Sequence, residues 1–148
     1  MVELTLIRGL PGSGKSTIAS KYQCVHFEND MYHIRDGFYD WKGSRQDEAM
    51  KWCLTSTRDC LKKGMDVVVS NTFTSLKYLK PYFDLANEID DLIITVIECN
   101  NHYGTIHNVP DFVIEGMRSK WYTLTPEDIE QYNLSVIYDE YQATAEVR

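Results

Sequence analysis

A chain of 148 residues holds one domain and is too short for two ordinary ones. Hydrophobic residues make up 43% and charged residues 25%, which suits a chain that closes a core, and no run is apolar for the length a bilayer requires. The net charge of −7 excludes an overall field that attracts nucleic acid, so a nucleic-acid substrate needs a local basic patch.

Residues Val2 to Arg8 read as a strand that starts almost at the first residue. They lack the basic segment and small-residue cleavage site of a signal peptide, so the expected location is cytoplasmic, with no membrane contact. Lys15 to Tyr22 reads as a first helix and Cys24 to Glu28 as a short second strand. Arg45 to Lys63 is the clearest helix, with Ala49, Cys53, Thr57 and Cys60 on one face and Lys62-Lys63-Gly64 as its stop. Asp66 to Ser70 is a buried strand by its run of valines. Leu76 to Glu88 looks helical, with Pro81 in its first turn or at a kink. Leu92 to Cys99 is a fourth apolar strand, Asn100 to Val109 has loop composition, and Pro110 to Trp121 spaces Val113, Met117 and Trp121 as a helix. A short helix over Pro126 to Gln131 and a last strand over Ser135 to Tyr138 complete the series. Strands alternating with helices predict an α/β fold: a central, mainly parallel sheet with helices on both faces. Cys24, Cys53, Cys60 and Cys99 form no CxxC pair and read as reduced thiols. His26, His33, His102 and His107 lack the clustering of metal ligands.

Gly9-Leu10-Pro11-Gly12-Ser13-Gly14-Lys15-Ser16, followed by Thr17, matches G-x-x-x-x-G-K-[ST] between a strand and a helix. Gly12 and Gly14 let the backbone wrap so that successive N–H groups point at phosphate, and the helix beginning at Lys15 adds its positive end. Lys15 reaches the terminal phosphates and Ser16 is placed to ligate Mg²⁺. The pattern predicts ATP or GTP binding and leaves the fate of the phosphate open.

A kinase also needs a group that orients and deprotonates its acceptor hydroxyl. Asp30, after the second strand, is either that base or a helix N-cap. Asn71 closes the third strand and is either a hydrogen-bonding group for a metal-bound water or the acceptor, or a turn residue. Glu98 ends the fourth strand. It is a surface glutamate at a strand exit or, if that strand lies beside the first, a metal-side carboxylate of an NTPase.

The P-loop, Phe27-Glu28-Asn29-Asp30-Met31-Tyr32, Val67-Val68-Val69-Ser70-Asn71-Thr72-Phe73-Thr74, Pro81-Tyr82 and His107-Asn108-Val109-Pro110 occur in that order. Together they resemble the small P-loop kinases related to phage polynucleotide kinase and to the kinase domain of the NEDD4-binding protein, over about Val2 to Trp121. The resemblance implies a five-stranded parallel core in a single P-loop kinase domain. In it the third strand, not the fourth, flanks the P-loop strand, with Asn71 beside Ser16 and Glu98 moved away. It implies that Asp30 activates the acceptor hydroxyl. It also implies a lid over Asn100 to Trp121, in which Arg118 and Lys120 are the cations and Arg118 closes over the ATP phosphates. The chain departs from the phage enzyme in carrying His33 where that enzyme has an Arg, with Arg35 two residues on, and Asn71 where it has an Asp. Thr105-Ile106 stands where an arginine is often seen before the His-x-Val-Pro stretch.

The loop from Arg35 to Arg45 interleaves Phe38, Tyr39 and Trp41 with Arg35, Lys42 and Arg45. That mixture suits stacking on bases and contact with phosphates, or simply caps the core. The expected activity is therefore ATP-dependent, Mg²⁺-assisted transfer to the 5′-hydroxyl end of DNA or RNA. The expected phosphate ligands are Gly9, Pro11, Gly12, Ser13, Gly14, Lys15, Ser16, Thr17 and Arg118, and the acceptor side is Asp30, His33, Arg35 and Asn71. The alternatives are a nucleoside, a modified DNA base or another small hydroxyl acceptor, and a nucleotide-binding module without catalysis.

Overall fold

The structure is a computed structural model and describes residues 1–35, 38–39, 45–101 and 109–139. Strand β1 (Val2–Gly9) leads through the P-loop into helix α1 (Lys15–Ala19), then β2 (Val25–Phe27) and a 3₁₀ turn (Asn29–His33). A small antiparallel pair, β3 (Ile34–Arg35) and β4 (Phe38–Tyr39), precedes helix α2 (Gln46–Lys62). Strand β5 (Val67–Asn71), helix α3 (Leu76–Phe83), a second 3₁₀ turn (Asp84–Asn87) and β6 (Leu92–Cys99) follow. Helices α4 (Asp111–Ser119) and α5 (Pro126–Gln131) and strand β7 (Leu134–Asp139) end the described chain.

Five strands form one parallel sheet in the order β2-β5-β1-β6-β7. Strand β1 is central and covered on both faces, so every residue from Leu4 to Gly9 is buried although Thr5 and Arg8 interrupt its apolar sequence, whereas β5 reads as an unbroken run, Val67-Val68-Val69. On one face Leu4, Leu6, Val67, Val69 and Val96 pack with Cys53 and Leu61 of α2, Leu79 and Phe83 of α3, and Leu124. On the other face a smaller core joins Ile7, Val68, Ile97 and Cys99 to Ala19 of α1. Helices thus lie on both faces, unequally. In α2 the buried stripe is Ala49, Cys53, Thr57 and Leu61, a strict four-residue period, and Cys60 is only half-buried.

Two expectations change. Helix α3 stops at Phe83, and Pro81 lies in its last turn rather than its first. Lacking an N–H there, Pro81 ends the α-helical ladder, and the chain continues as a 3₁₀ turn. The strand order corrects the other. The third and fourth strands of the sheet both flank β1, with Arg8 opposite Asn71 on β5 and opposite Glu98 on β6. All four cysteines are free thiols.

The core also holds a charge. Arg8, completely enclosed, donates from Nε and Nη2 to the Phe73 carbonyl (3.1 and 2.7 Å) and from Nη2 to the Tyr122 carbonyl (2.8 Å). Its guanidinium stacks 3.9 Å from the centre of the Trp121 ring, whose Nε1 donates to Glu98 Oε1 at 2.8 Å. Burial lowers the Arg8 pKa to about 10, against the pull of Glu98, so it remains a cation at neutral pH. Phe73 takes a left-handed backbone conformation (φ 46°), which costs of order 1 kcal/mol and persists because its surroundings over-determine it. Its carbonyl accepts two of the three Arg8 hydrogen bonds, and its ring meets Tyr82 edge-on at 5.3 Å.

Candidate functional site

The P-loop leaves the carboxyl end of the central strand, where ligands bind in open parallel sheets. Ser13 N–H bonds to the Leu10 carbonyl at 3.1 Å, and Gly12 and Gly14 take positive φ (81° and 94°) to complete the turn into α1. Lys15 is half-buried, with Nζ 3.1 Å from the Leu10 carbonyl. Burial pushes the Lys15 ammonium below its ordinary pKa, opposed in turn by Cys99, Glu28 and Asp30. Lys15 therefore sits in the field of both carboxylates that follow β2. Burial also lifts the neighbouring Cys99 thiol to about 11, so it is uncharged at neutral pH. Ser13 Oγ is buried without a hydrogen-bond partner, while the Ser16 and Thr17 side chains are exposed where α1 begins. Helix α1 is shorter than expected, ending at Ala19.

Gly9 is required by close approach. A Cβ there would lie 2.2 Å from Ser13 Oγ and 2.9 Å from the Cys99 carbonyl. Gly9→Ala is expected to destabilise the protein by about 1–3 kcal/mol through overpacking, read as a lower denaturation midpoint, and to weaken nucleotide binding by displacing Ser13. An alanine variant with wild-type stability would show that the loop can move aside.

Asp30 lies in the first turn of the 3₁₀ segment, and the N-cap position there belongs to Glu28 (φ −151°, ψ 152°), so Asp30 is not the cap. His33 is fully enclosed, with Nε2 2.9 Å from Gln46 Oε1 of α2. Its ring therefore braces the turn against α2 in this structure. Arg35 ends β3, opposite Phe38. Residues 36, 37 and 40–44, including Trp41 and Lys42 of the aromatic loop, lie outside the described residues, as do residues 102–108 of the expected lid. Arg118, on α4, is half-exposed and pairs with Glu115 Oε1 at 3.3 Å within its own helix.

Asn71 is not turned toward Ser16. Its Oδ1 accepts from Asn29 N–H at 2.8 Å, and its amide nitrogen lies 3.3 Å from Asn29 Oδ1 and 3.8 Å from Cys53 Sγ, on the α2 face. It clips the Asp30 turn to β5. Glu98 is neither a surface residue nor moved away. It lies beside Arg8, buried, with Oε1 held by Trp121 and Oε2 unpartnered, on the face opposite α1. The residues that sequence reasoning missed are Ser70 and His26. Ser70 Oγ is 2.6 Å from His26 Nε2 and donates to Glu28 Oε2 at 2.8 Å.

Among the described residues no cluster of three potential metal ligands occurs, and no helix is long and apolar enough to cross a membrane.

No family model matches the chain. It is 25% identical over 137 residues to human NEDD4-binding protein 2, a match that covers 88% of this chain and 7% of that protein's length. Among solved structures it is similar to Chaetomium thermophilum Kti12 in complex with ADP-AlF3 (TM-score 0.60, 15% identity, 97% of this chain and 94% of that one). A gluconokinase from Sinorhizobium meliloti 1021 matches at TM-score 0.57 and 17% identity, over 99% of this chain and 87% of that one. A chain of the Pnkp1/Rnl/Hen1 complex matches at 0.52 and 22% identity, over 84% of this chain and 41% of that one. These likenesses establish the fold, which is that of the P-loop kinases.

Proposed function

We propose that the protein is an ATP-dependent phosphotransferase acting on a hydroxyl acceptor, with the 5′-hydroxyl end of DNA or RNA as the first candidate. The observation that carries this reading is that both groups such a transfer needs stand at the carboxyl end of one parallel sheet: the P-loop leaves the end of β1, Glu28 and Asp30 follow the end of β2, and both carboxylates act on the Lys15 ammonium. A group for holding phosphate and a group for activating an acceptor are therefore neighbours. The Pnkp1/Rnl/Hen1 assembly is described as an RNA repair complex, which supports a polynucleotide acceptor.

The P-loop amides and Lys15 hold the β- and γ-phosphates, with ATP taken over GTP as the first donor to test. Asp30 orients the acceptor hydroxyl and takes its proton as the oxygen attacks the γ-phosphorus. The bond from that phosphorus to the β–γ bridging oxygen then breaks, and ADP leaves. Arg118, carried on α4, closes over the phosphates as a lid residue and exchanges its pairing with Glu115 for phosphate oxygens. The Ser16 hydroxyl and the nearby carboxylates are oxygen donors, the type that suits Mg²⁺. When bound, the cation withdraws charge from the transferring phosphoryl group.

A small uncharged hydroxyl compound is the second reading. The enclosed His33 favours it, because its ring is turned onto Gln46 of α2 and is not presented to an acceptor phosphate. Transfer of labelled γ-phosphate to a 5′-hydroxyl oligonucleotide, a nucleoside and a neutral sugar, run in parallel, separates the acceptors. Nucleotide hydrolysis without transfer to any acceptor would defeat the phosphotransferase reading. In the same assay Lys15→Ala is expected to lose about 10²-fold in rate while remaining folded, the worth of one electrostatic contact to the transition state.

A further inference from the structure

Three side chains at the ends of β2 and β5 form a closed set. The Ser70 hydroxyl carries one proton. With that proton given to Glu28 Oε2, the 2.6 Å contact to His26 requires a proton on Nε2, which also lies 3.6 Å from the same carboxylate oxygen. Glu28 is thus gripped at one oxygen, with about a quarter of its side chain exposed.

Strand parity places this set on the P-loop face. Val68 packs on Ala19 of α1, and Ser70, two residues on, shares its face. His26 is the register partner of Val68, and Glu28 continues two residues beyond it. Ser70 is itself the register partner of Ile7, two residues before Gly9. Asn71 has the opposite parity and bonds toward α2.

We propose that Glu28, held by Ser70 and His26, is the carboxylate that stands with Ser16 on the divalent-cation side of the nucleotide site, a place the strand-end residue Asn71 does not fill. This rests on the phosphotransferase reading above. Two hard oxygen donors on one face of the sheet suit Mg²⁺ or Mn²⁺, which keep several waters beside nucleotide phosphates and need only one or two carboxylates. The presence of Glu28 in the field around Lys15 agrees with its facing the phosphates. Ser70 and His26 act through Glu28 and are positioning residues.

The test is the affinity of the full chain for ADP, measured by calorimetry in Mg²⁺ and again in chelator, with Mn²⁺ paramagnetic resonance on the ADP complex as a direct metal readout. Wild-type protein is expected to bind ADP more tightly with metal. Glu28→Gln should lose about tenfold of that gain and Ser70→Ala a smaller part, with metal-free affinity unchanged for Ser70→Ala and unchanged or raised for Glu28→Gln, which removes a negative charge facing the phosphates. Glu28→Asp keeps the charge but withdraws it by one methylene, so it should also lose part of the gain, an independent reading if the glutamine variant does not fold. A metal-dependent gain that survives Glu28→Gln overturns this proposal alone, as does an equal loss with and without metal. Absence of ADP binding by the wild type overturns the nucleotide reading and this proposal with it.

Discussion

Asp30→Asn is expected to lower phosphoryl transfer by roughly 10²–10⁴-fold, the usual worth of general acid–base catalysis, while nucleotide affinity and stability stay at wild-type levels. Stability should hold because the cap position of the 3₁₀ turn is Glu28, and asparagine fits the first turn without a change of shape. Affinity should hold because the phosphates are gripped by the P-loop amides and Lys15, whose chemistry the substitution leaves intact. The measurement is paired: ADP affinity by calorimetry and single-turnover transfer on the same protein. Wild-type transfer in the variant would remove Asp30 from the mechanism and leave Glu28 as the next carboxylate in the field of Lys15.

The second large effect is structural. Arg8→Met should destabilise the protein by about 3–5 kcal/mol, the usual result of removing one partner from a buried charged network. For a domain of this size that corresponds to a fall in melting temperature on the order of 10 °C. Methionine fills part of the volume but leaves the Phe73 and Tyr122 carbonyls without donors and Glu98 buried without a neighbouring cation. Arg8→Lys should fall between, since it restores charge without the planar fork that reaches two carbonyls. Adding Glu98→Gln to Arg8→Met should recover part of the loss, because the carboxylate no longer lacks its counter-charge, and the shortfall from additivity measures the coupling. A single-variant loss below about 1 kcal/mol would show that Arg8 is dispensable to the core.

The P-loop was legible because its signal is contiguous: glycines, lysine and serine lie within eight residues, between an apolar run and a helix. The last helix carries a contiguous signal as well, one the structure brings out: Thr125 and Asp128 close a capping box in both directions around Pro126-Glu127. Facing was harder. Ser70 and Asn71 are adjacent, and a strand turns neighbours to opposite faces. Which of them meets the P-loop depends on the side of the sheet that α1 covers, a tertiary fact. Valine parity held the clue, because Val68 shares a face with Ser70, but only Ala19 of α1 packing on Val68 makes it usable. Arg8 was less legible still. An arginine at the end of an apolar strand looks like the strand's exit to water, and the carbonyls that satisfy it come from residues far along the chain. Strand order was misjudged for Glu98 because the resemblance pointed to one neighbour for the P-loop strand, whereas the central position of β1 gives it two.

That central position bears on how the chain is made. Leu4 of β1 pairs with Val67 and with Ile94, so the middle of the sheet is synthesised long before either neighbour. At ordinary translation rates the interval to the second partner is roughly 5–18 s. Both hydrogen-bonding edges of β1 are open until β5 is made, and the edge that β6 covers stays open for the whole interval. Parallel pairing forces this delay, since each crossover must be completed before its strand can dock. During synthesis the strand that later leads into the P-loop therefore waits for seconds with backbone donors and acceptors unpaired.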